Sequence, residues 1–319
     1  MKLIENYFNI LELHDKKYDR APRSWIRARG KNLLKVVKEL LPKDYISFLE
    51  EKVREETGVL ISKQTISEWI KGNYGIPVVV LKIICKNQKQ MLKLIKEIDI
   101  LNVNSIHKVT LPKRPSEDFF YFYGALMGDG TIPININAEG NRQWRIAFHM
   151  VPIDYVKNIL CNLALNIFNI NPKTYPDKTK GKQESIFMDI NSKIVYRFFE
   201  RVVESPIGKK ASLIKIPEYT NLSQNLISEV IAGIFDTEGG THMFTFGMST
   251  NSNILRDQIL DFFIAKGFKM KKWDWKNVKG NRSYSLGFKE PSLKILKFVT
   301  LRNRNVIDLL RAYEVTRIA

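Results

Sequence analysis

Cysteine is nearly absent: Cys85 and Cys161 are the two thiols in 319 residues. Both lie in apolar surroundings. This excludes a disulfide-stapled secreted scaffold and suits buried thiols in a reducing compartment. Histidine is scarce as well. His14, His107, His149 and His242 are scattered without the spacing of a zinc site. No apolar run reaches the roughly 18 residues of a membrane span. The opening MKLIENYFNILELHDKKYDR is broken by charges and does not read as a signal peptide. These absences predict a cytoplasmic, prokaryotic-like protein with no membrane partner.

What is plentiful is positive charge. Lys and Arg number 51 against 33 Asp and Glu, a net +18. Residues 1–110 hold 21 basic against 13 acidic side chains, and residues 111–319 hold 30 against 20. The excess is shared, so a basic tail on a neutral domain is excluded, and the pattern suits a polyanionic partner. The length exceeds one ordinary core. An apolar content of 44% is that of a globular protein.

Residues 1–101 read as an all-α domain. Apolar residues recur at helical spacing through Trp25–Leu41 and Tyr45–Val59, with Pro42 between them. A short helix is predicted from about Lys63 to Lys71, ending at Gly72, and another from about Val78. This resembles the recognition half of a helix-turn-helix around residues 60–90. Ile66, Trp69 and Ile70 would pack inward. Gln64, Thr65, Ser67, Glu68 and Lys71 would face outward, toward base edges or phosphates. The reading treats this domain as separable, so that its deletion leaves a soluble core at 116–319.

Residues 102–115 read as a linker. Beyond it the order αββαββα is predicted twice, over 116–215 and 216–319. In the first copy helices fall at about 116–128, 153–168 and 192–204, with strands in TIPININ, QWRIAFHM, 172–178 and 183–190. Pro133 marks an edge or bulge. In the second, helices are expected at about 223–237, 252–265 and from 291, and strands at 241–247, 268–275 and 282–288. A last helix covers about 304–315.

Each copy opens on an apolar helix that ends in an acid. FYGALMGDG stops at Asp129 and IAGIFDTEG at Glu238, 109 residues apart. A carboxylate at a helix C-terminus is misplaced by roughly 0.3–1 kcal/mol. Small residues, namely Gly124, Ala125 and Gly128 in one helix and Ala232 and Gly233 in the other, let the two backbones approach. The acids would then be neighbours, a spot that calls for an oxygen-loving cation such as Mg²⁺ or Mn²⁺. Gly130 and Gly239 are expected in left-handed conformations that turn the chain away. Paired carboxylates with shared metals suit phosphodiester hydrolysis.

These two segments resemble the paired signature motifs of LAGLIDADG homing endonucleases in their single-chain form, over residues 116–316. The first copy has Met127 where the motif's name has Asp. The resemblance implies a pseudo-symmetric α+β saddle of two tandem repeats, acting as a monomer that cuts both strands of double-stranded DNA, with Asp129 and Glu238 as metal ligands. It also implies a basic residue after each copy's last helix: Lys209 or Lys210 in the first, Arg302 or Arg304 in the second. A polar residue is expected after each second strand. The second copy offers Ser249, Thr250 and Asn251, whereas the first has Val151 and Pro152, with His149 as a substitute.

Strand alternation gives the expected DNA face. It comprises Gln143, Arg145 and His149 in the first copy, and Thr241 and Thr245 in the second. A cationic ribbon adds Lys269, Lys271, Lys272 and Arg282. Two other readings stay open: a LAGLIDADG-derived regulator that binds DNA without cutting, and an RNA-splicing maturase acting on structured RNA. The chain starts with Met and ends VTRIA, so it is not an obvious intein. An intron-encoded or intein-derived origin stays open.

Overall fold

The computed structural model describes residues 1–103, 108–136, 142–150, 152–177, 185–209, 211–217, 223–242, 245–276, 282–289 and 293–318. The chain forms two compact units. One is Met1–Pro115 with Ile167–Ile170 and Ser192–Ser205; the other is Ser116–Asn166, Asn171–Asn191 and Pro206–Ala319.

In the first unit, β1 (Leu3–Ile4) pairs with β2 (Tyr7–Phe8). A separate antiparallel sheet has β3 (Arg27–Arg29) between β4 (Ile76–Pro77) and β5 (Ile100–Asn102). The helices α1 (Leu33–Leu40), α2 (Tyr45–Thr57), α3 (Lys63–Lys71), α4 (Val78–Ile83) and α5 (Gln88–Glu97) accompany them. The expectation of an all-α N-terminal domain is therefore corrected to a mixed one. The apolar spacing of Trp25–Arg29 fits a helical period, but Ile26 and Ala28 are buried while Arg27 is half-buried and Arg29 exposed. That is the two-residue alternation of a strand. The helix starts only at Leu33.

The segment 193–203 is helical and belongs to this first unit. Phe198 meets Phe8 edge-on at 5.2 Å and packs near Phe168. Arg197 is fully buried, and its Nη1 donates to Asp15 at 2.7 Å and Glu200 at 2.6 Å. Lys193 pairs with buried Asp19. Burying a charge is costly unless it is paired, so these ion pairs accompany every cation carried into that core.

The second unit opens with α6 (Glu117–Met127). Ser116 caps it by accepting the Phe119 N–H at 3.3 Å, and Glu117 and Asp118 sit in the favourable first turn. One sheet contains β6 (Gly130–Thr131), β9 (Arg145–Met150), β11 (Ile186–Asn191) and β10 (Lys173–Pro176), in that spatial order. A two-stranded piece, β7 (Asn135–Ile136) with β8 (Arg142–Gln143), stands beside it in sequence, and Pro133 falls before it. The helical stretch α7 (153–168) carries a π-turn at Val156–Leu160. The second sheet follows α8 (Gln224–Glu238). It orders β12 (Gly239–His242), β13 (Thr245–Thr250), β15 (Arg282–Phe288) and β14 (Met270–Lys276). The two sheets thus share one strand order, each led by the short strand that leaves an acid-tipped helix. Two further helices, α9 (Asn253–Ala265) and α10 (Arg304–Ile318), follow β13 and β15.

Helices α6 and α8 pack against each other through bare backbone. A Cβ on Gly124 would fall 2.1 Å from Val230 O, and one on Gly233 would fall 2.1 Å from Tyr121 O and 2.6 Å from Ala125 N. Ala125 and Ala232 are fully buried. Because the obstacle is backbone, no side-chain rotation can relieve it. Gly233→Ala is expected to destabilise the unit by roughly 1–3 kcal/mol or more, despite alanine's better helix propensity. Urea unfolding measures this; an unchanged or raised midpoint would refute the close packing.

Candidate metal centre and nucleic-acid interface

The tips of α6 and α8 lie together. The Gly128 N–H closes α6 onto Gly124 O at 3.0 Å, and Asp129 follows. Glu238 is itself the last residue of α8. A Cβ on Gly128 would lie 2.0 Å from Thr237 Oγ1 and 3.2 Å from Glu238 Cγ. The residue next to Asp129 therefore rests on Glu238. Both acids are half-buried.

Left-handed glycines after the acids are not what the backbone uses. Gly239 has φ −72° and ψ 140°, and Gly130 is not among the glycines with positive φ. The glycines serve close approach instead. A Cβ on Gly239 would sit 2.3 Å from Phe235 O, and one on Gly130 would sit 2.8 Å from Leu126 Cα. Each exit strand doubles back along the last helical turn, which keeps the acid at the tip.

A cleft of about 260 Å³ opens beside Glu238, lined by Met127, Gly128, Ser249, Thr250, Asn251 and Ser283 among others. Ser249 and Ser285 hydroxyls are 2.7 Å apart, and Ser283 Oγ donates to Asn251 Oδ1 at 3.2 Å. Gly130 pairs with Phe148 as Gly239 pairs with Met248. By that register His149, Met150 and Val151 match Ser249, Thr250 and Asn251. Met150 is buried, and Val151 lies outside the described residues. His149 is held by Asp177 Oδ2 at 3.1 Å and Ser185 Oγ at 2.8 Å, and it stacks on Phe187 at 4.1 Å.

Arg302 points elsewhere. Its guanidinium pairs with Asp118 at 2.8 Å and Glu229 at 3.0 Å, and covers the Tyr121 ring at 4.1 Å. Glu229 precedes Glu238 by nine residues, roughly 13 Å along the helix at about 1.5 Å per residue. Lys209 and Arg304 are exposed. Lys210 lies outside the described residues.

Asp236, Tyr121 and Tyr155 form a buried chain that sequence reading missed. Tyr121 Oη donates to Asp236 Oδ2 at 2.5 Å and lies 2.8 Å from Tyr155 Oη. The Arg302 N–H also donates to Asp236 Oδ2 at 2.5 Å, while Oδ1 is buried without a protein partner. The available signal was an acid inside the apolar run IAGIFD, where the first motif has Met127. Burial drives both phenols well above their ordinary range, with the Asp236 charge adding to it. Asp129 contributes a smaller rise at Tyr155.

Burial pushes the Asp236 carboxyl up to about 6, against the pull of Tyr121 and the backbone at Arg302 and Asn303. Its unfolded value is near 3.8, so folding favours the protonated acid. The contribution is fully present below about pH 4 and is lost as pH rises through 6. Between pH 4 and 7 the parent is expected to lose about 2 kcal/mol relative to Asp236→Asn. Denaturant unfolding across that range reads the difference, and parallel pH profiles would contradict it.

The sheet faces turned away from the helices carry the predicted polar residues unevenly. In the first sheet Ile146, Phe148 and Met150 are buried and His149 is exposed, while Gln143, also exposed, lies on β8 of the separate β7–β8 pair. Arg145 is paired with Asp189 at 2.7 Å and donates to Tyr175 Oη at 3.0 Å. In the second, the strands expected around 241–247 are β12 and β13, whereas the face assigned to Thr241 and Thr245 assumed one continuous alternation. Thr241 pairs with Phe246, and Thr245 with His242. Thr241 and Thr245 therefore lie on opposite faces. Thr245 is 1% exposed. A Cβ on Gly287 would meet Thr245 Oγ1 at 2.6 Å and the Trp273 ring at 3.2 Å, so the indole covers the threonine and withdraws it from an open face.

The cationic ribbon divides likewise. Lys271 lies opposite Gly287, on the Trp273 face, and Lys269 shares that face by alternation. Lys272 lies opposite Leu286, and Arg282 shares that second face. Lys272 is paired with Asp257 at 3.3 Å. Lys269, Lys272 and Arg282 are exposed, and Lys271 is half-buried.

In the first unit, α3 spans Lys63–Lys71 as expected. Ser62 accepts the Thr65 N–H at 3.2 Å, and Gly72 ends the helix at φ 86°. Ile66, Trp69 and Ile70 are buried. Gln64 and Lys71 are exposed, while Thr65 and Ser67 are partly so. The Thr65 hydroxyl is 2.9 Å from Ser62 Oγ. Glu68 accepts from Asn73 Nδ2 at 2.6 Å and pairs with Lys71 at 3.7 Å.

Among the described residues, no group of three or more His, Cys, Asp or Glu side chains gathers to hold a metal. No helix among them is long and apolar enough to cross a membrane.

No protein-family model matches the chain. It is 25% identical over 190 residues to the glutamine–fructose-6-phosphate aminotransferase (isomerizing) of Methanocaldococcus jannaschii, a match covering 56% of this chain and 16% of that protein. Among solved structures it is similar to the homing endonuclease I-DmoI in complex with DNA and manganese, at 15% identity and a TM-score of 0.43, over 57% of this chain and 96% of that one. It is also similar to the homing endonuclease I-WcaI bound to its DNA recognition sequence, at 14% identity and a TM-score of 0.36, over 63% and 87%. A third is the LAGLIDADG meganuclease I-AabMI bound to uncleaved DNA, at 14% and 0.37, over 62% and 91%.

Proposed function

We infer that the chain is a LAGLIDADG-type endonuclease that hydrolyses phosphodiester bonds of double-stranded DNA with a divalent cation, aided by a DNA-contacting first unit. One observation carries the reading. Two carboxylates are held at abutting helix C-termini, Asp129 beside Gly128 and Gly128 against Glu238 Cγ, by a helix contact that only glycine permits. Two negative helix ends and two acids repel, and stability alone gives no reason to assemble them.

The donor set fits Mg²⁺ or Mn²⁺. It offers only oxygen, and two carboxylates leave room for waters and phosphate oxygens on an ion that keeps several waters. Such an ion supplies Lewis-acid polarisation of the phosphodiester and a nucleophilic water at neutral pH. The chain's part is placement. α6 and α8 fix the two acids relative to each other. The cleft hydroxyls and amide of Ser249, Thr250, Asn251 and Ser283 sit where they can orient water beside Glu238. Exposed cations, with +18 overall, draw the polyanion in.

The test is incubation of the purified chain with a randomised duplex library, with Mg²⁺ and with EDTA, followed by sequencing of the ends. Metal-dependent breaks at one recurring sequence are expected. Tight binding to one sequence with no breaks would favour the regulator reading; preferential binding of a structured RNA would favour the maturase.

A further inference from the structure

We propose that Arg27 and Arg29 form a phosphate clamp beside α3, which seats the first unit on the backbone of duplex DNA. The inference rests on α3 being a DNA-contacting helix. Both arginines lie on β3, two residues apart and on one face. The turn that ends α3 lies directly on their stems. A Cβ on Gly75 would fall 3.1 Å from Arg27 Cβ and 3.3 Å from Arg29 Cγ, so glycine is what lets the turn settle there. Arg29 Nη2 donates to Asn73 O at 3.4 Å. Arg27 Nη2 donates to Pro22 O at 3.3 Å, and its guanidinium stands 5.9 Å from the Tyr74 ring. Tyr74 is 52% exposed.

The charges of this pair are uncompensated. Among the described residues, neither arginine has a carboxylate within ion-pair distance. Two acids close by in the fold, Glu68 and Asp99, are taken. Glu68 is held by Asn73 and Lys71. Asp99 pairs with Lys113 at 3.2 Å and accepts the Lys31 N–H at 3.1 Å. Burial pulls Arg27 below its ordinary value, Tyr74 opposes that pull and the neighbouring Arg29 adds to it, and the guanidinium remains charged with no anion beside it. Two guanidiniums on adjacent stems, each bonded to a backbone carbonyl, suit a bound oxyanion. Their place fits a duplex backbone. They flank the end of α3 that bears exposed Lys71, and phosphate contacts flanking a helix set its register on DNA.

The experiment uses the full chain in EDTA, a labelled mixed-sequence duplex and fluorescence anisotropy across a salt series. Arg27→Gln with Arg29→Gln is expected to weaken binding roughly tenfold and to lower the salt slope by about 2. Arg27→Lys with Arg29→Lys is expected to restore most of the slope, which a loss of folding would not allow; circular dichroism checks that all variants are folded. A Gln pair that binds with the parent's affinity and slope would overturn the clamp. Parent-like binding by Gln64→Ala with Lys71→Ala, alongside weakened binding by the Gln pair, would remove α3 from the interface and leave the clamp standing. A hairpin RNA bound more tightly than the duplex, with the same loss in the Gln pair, would overturn the choice of DNA.

Discussion

Asp129→Asn is expected to abolish cleavage of both strands while leaving DNA binding intact. The substitution keeps size and removes one charge from the junction of α6 and α8. A lost metal ligand forfeits several kcal/mol of transition-state stabilisation, a fall of roughly a thousandfold or more in rate. Binding should survive or tighten, because a negative charge facing phosphate has gone. Thermal stability should hold or rise by a few tenths of a kcal/mol, since a helix C-terminus disfavours a carboxylate. Glu238→Gln should behave alike. Single-turnover cleavage in Mg²⁺, anisotropy and thermal melts of both variants measure the three quantities. A variant that cuts at the parental rate would sink the shared-metal mechanism.

A chain beginning at Ser116 is expected to be insoluble or unfolded. The sequence suggested a detachable N-terminal module, but the first unit's core includes 192–205. Phe168, Phe198, Phe199, Val202 and Val203 are all buried there. Deleting residues 1–115 takes Phe8 from Phe198 and removes most of the unit in which these five side chains are buried. At about 2 kcal/mol for each one bared, the loss reaches up to roughly 10 kcal/mol, as large as the whole stability of many domains. It also strips Asp15 from Arg197 and Asp19 from Lys193. Expression, gel filtration and circular dichroism of the 116–319 fragment decide the matter. A monodisperse fragment with a cooperative melt would show that 193–203 can repack without its partners.

The sequence made some of this legible because the governing physics is local. The helical period with Ser62 and Gly72 as caps defines α3. The apolar runs that stop at Asp129 and Glu238 mark α6 and α8, and alternation in RIAFHM gives β9 its buried face. What was hidden depends on contacts far along the chain. In Trp25–Arg29 the apolar spacing fits a strand or a helix, and pairing with residues 76–77 and 100–102 decides it. Thr245 is polar and alternates correctly, but Trp273, 28 residues on, covers it. Gly130 and Gly239 look like turn formers by composition. Only the backbone shows that they serve close approach.

The assignment of 193–203 to the first unit also bears on how the chain is made. Synthesis proceeds from the N-terminus, so Phe8 is produced long before Phe198. Residues 116 to 192 must leave the ribosome in between, which takes about 4–15 s at roughly 5–20 residues per second. Through that interval the nascent first unit carries an unfinished apolar surface. It also carries Asp15 and Asp19 without the cations that will meet them. The second unit's opening helix is complete at Met127, before the first unit can close. Nascent-chain crowding and chaperone occupancy should therefore peak within that window and fall once the helix bearing Phe198 has emerged.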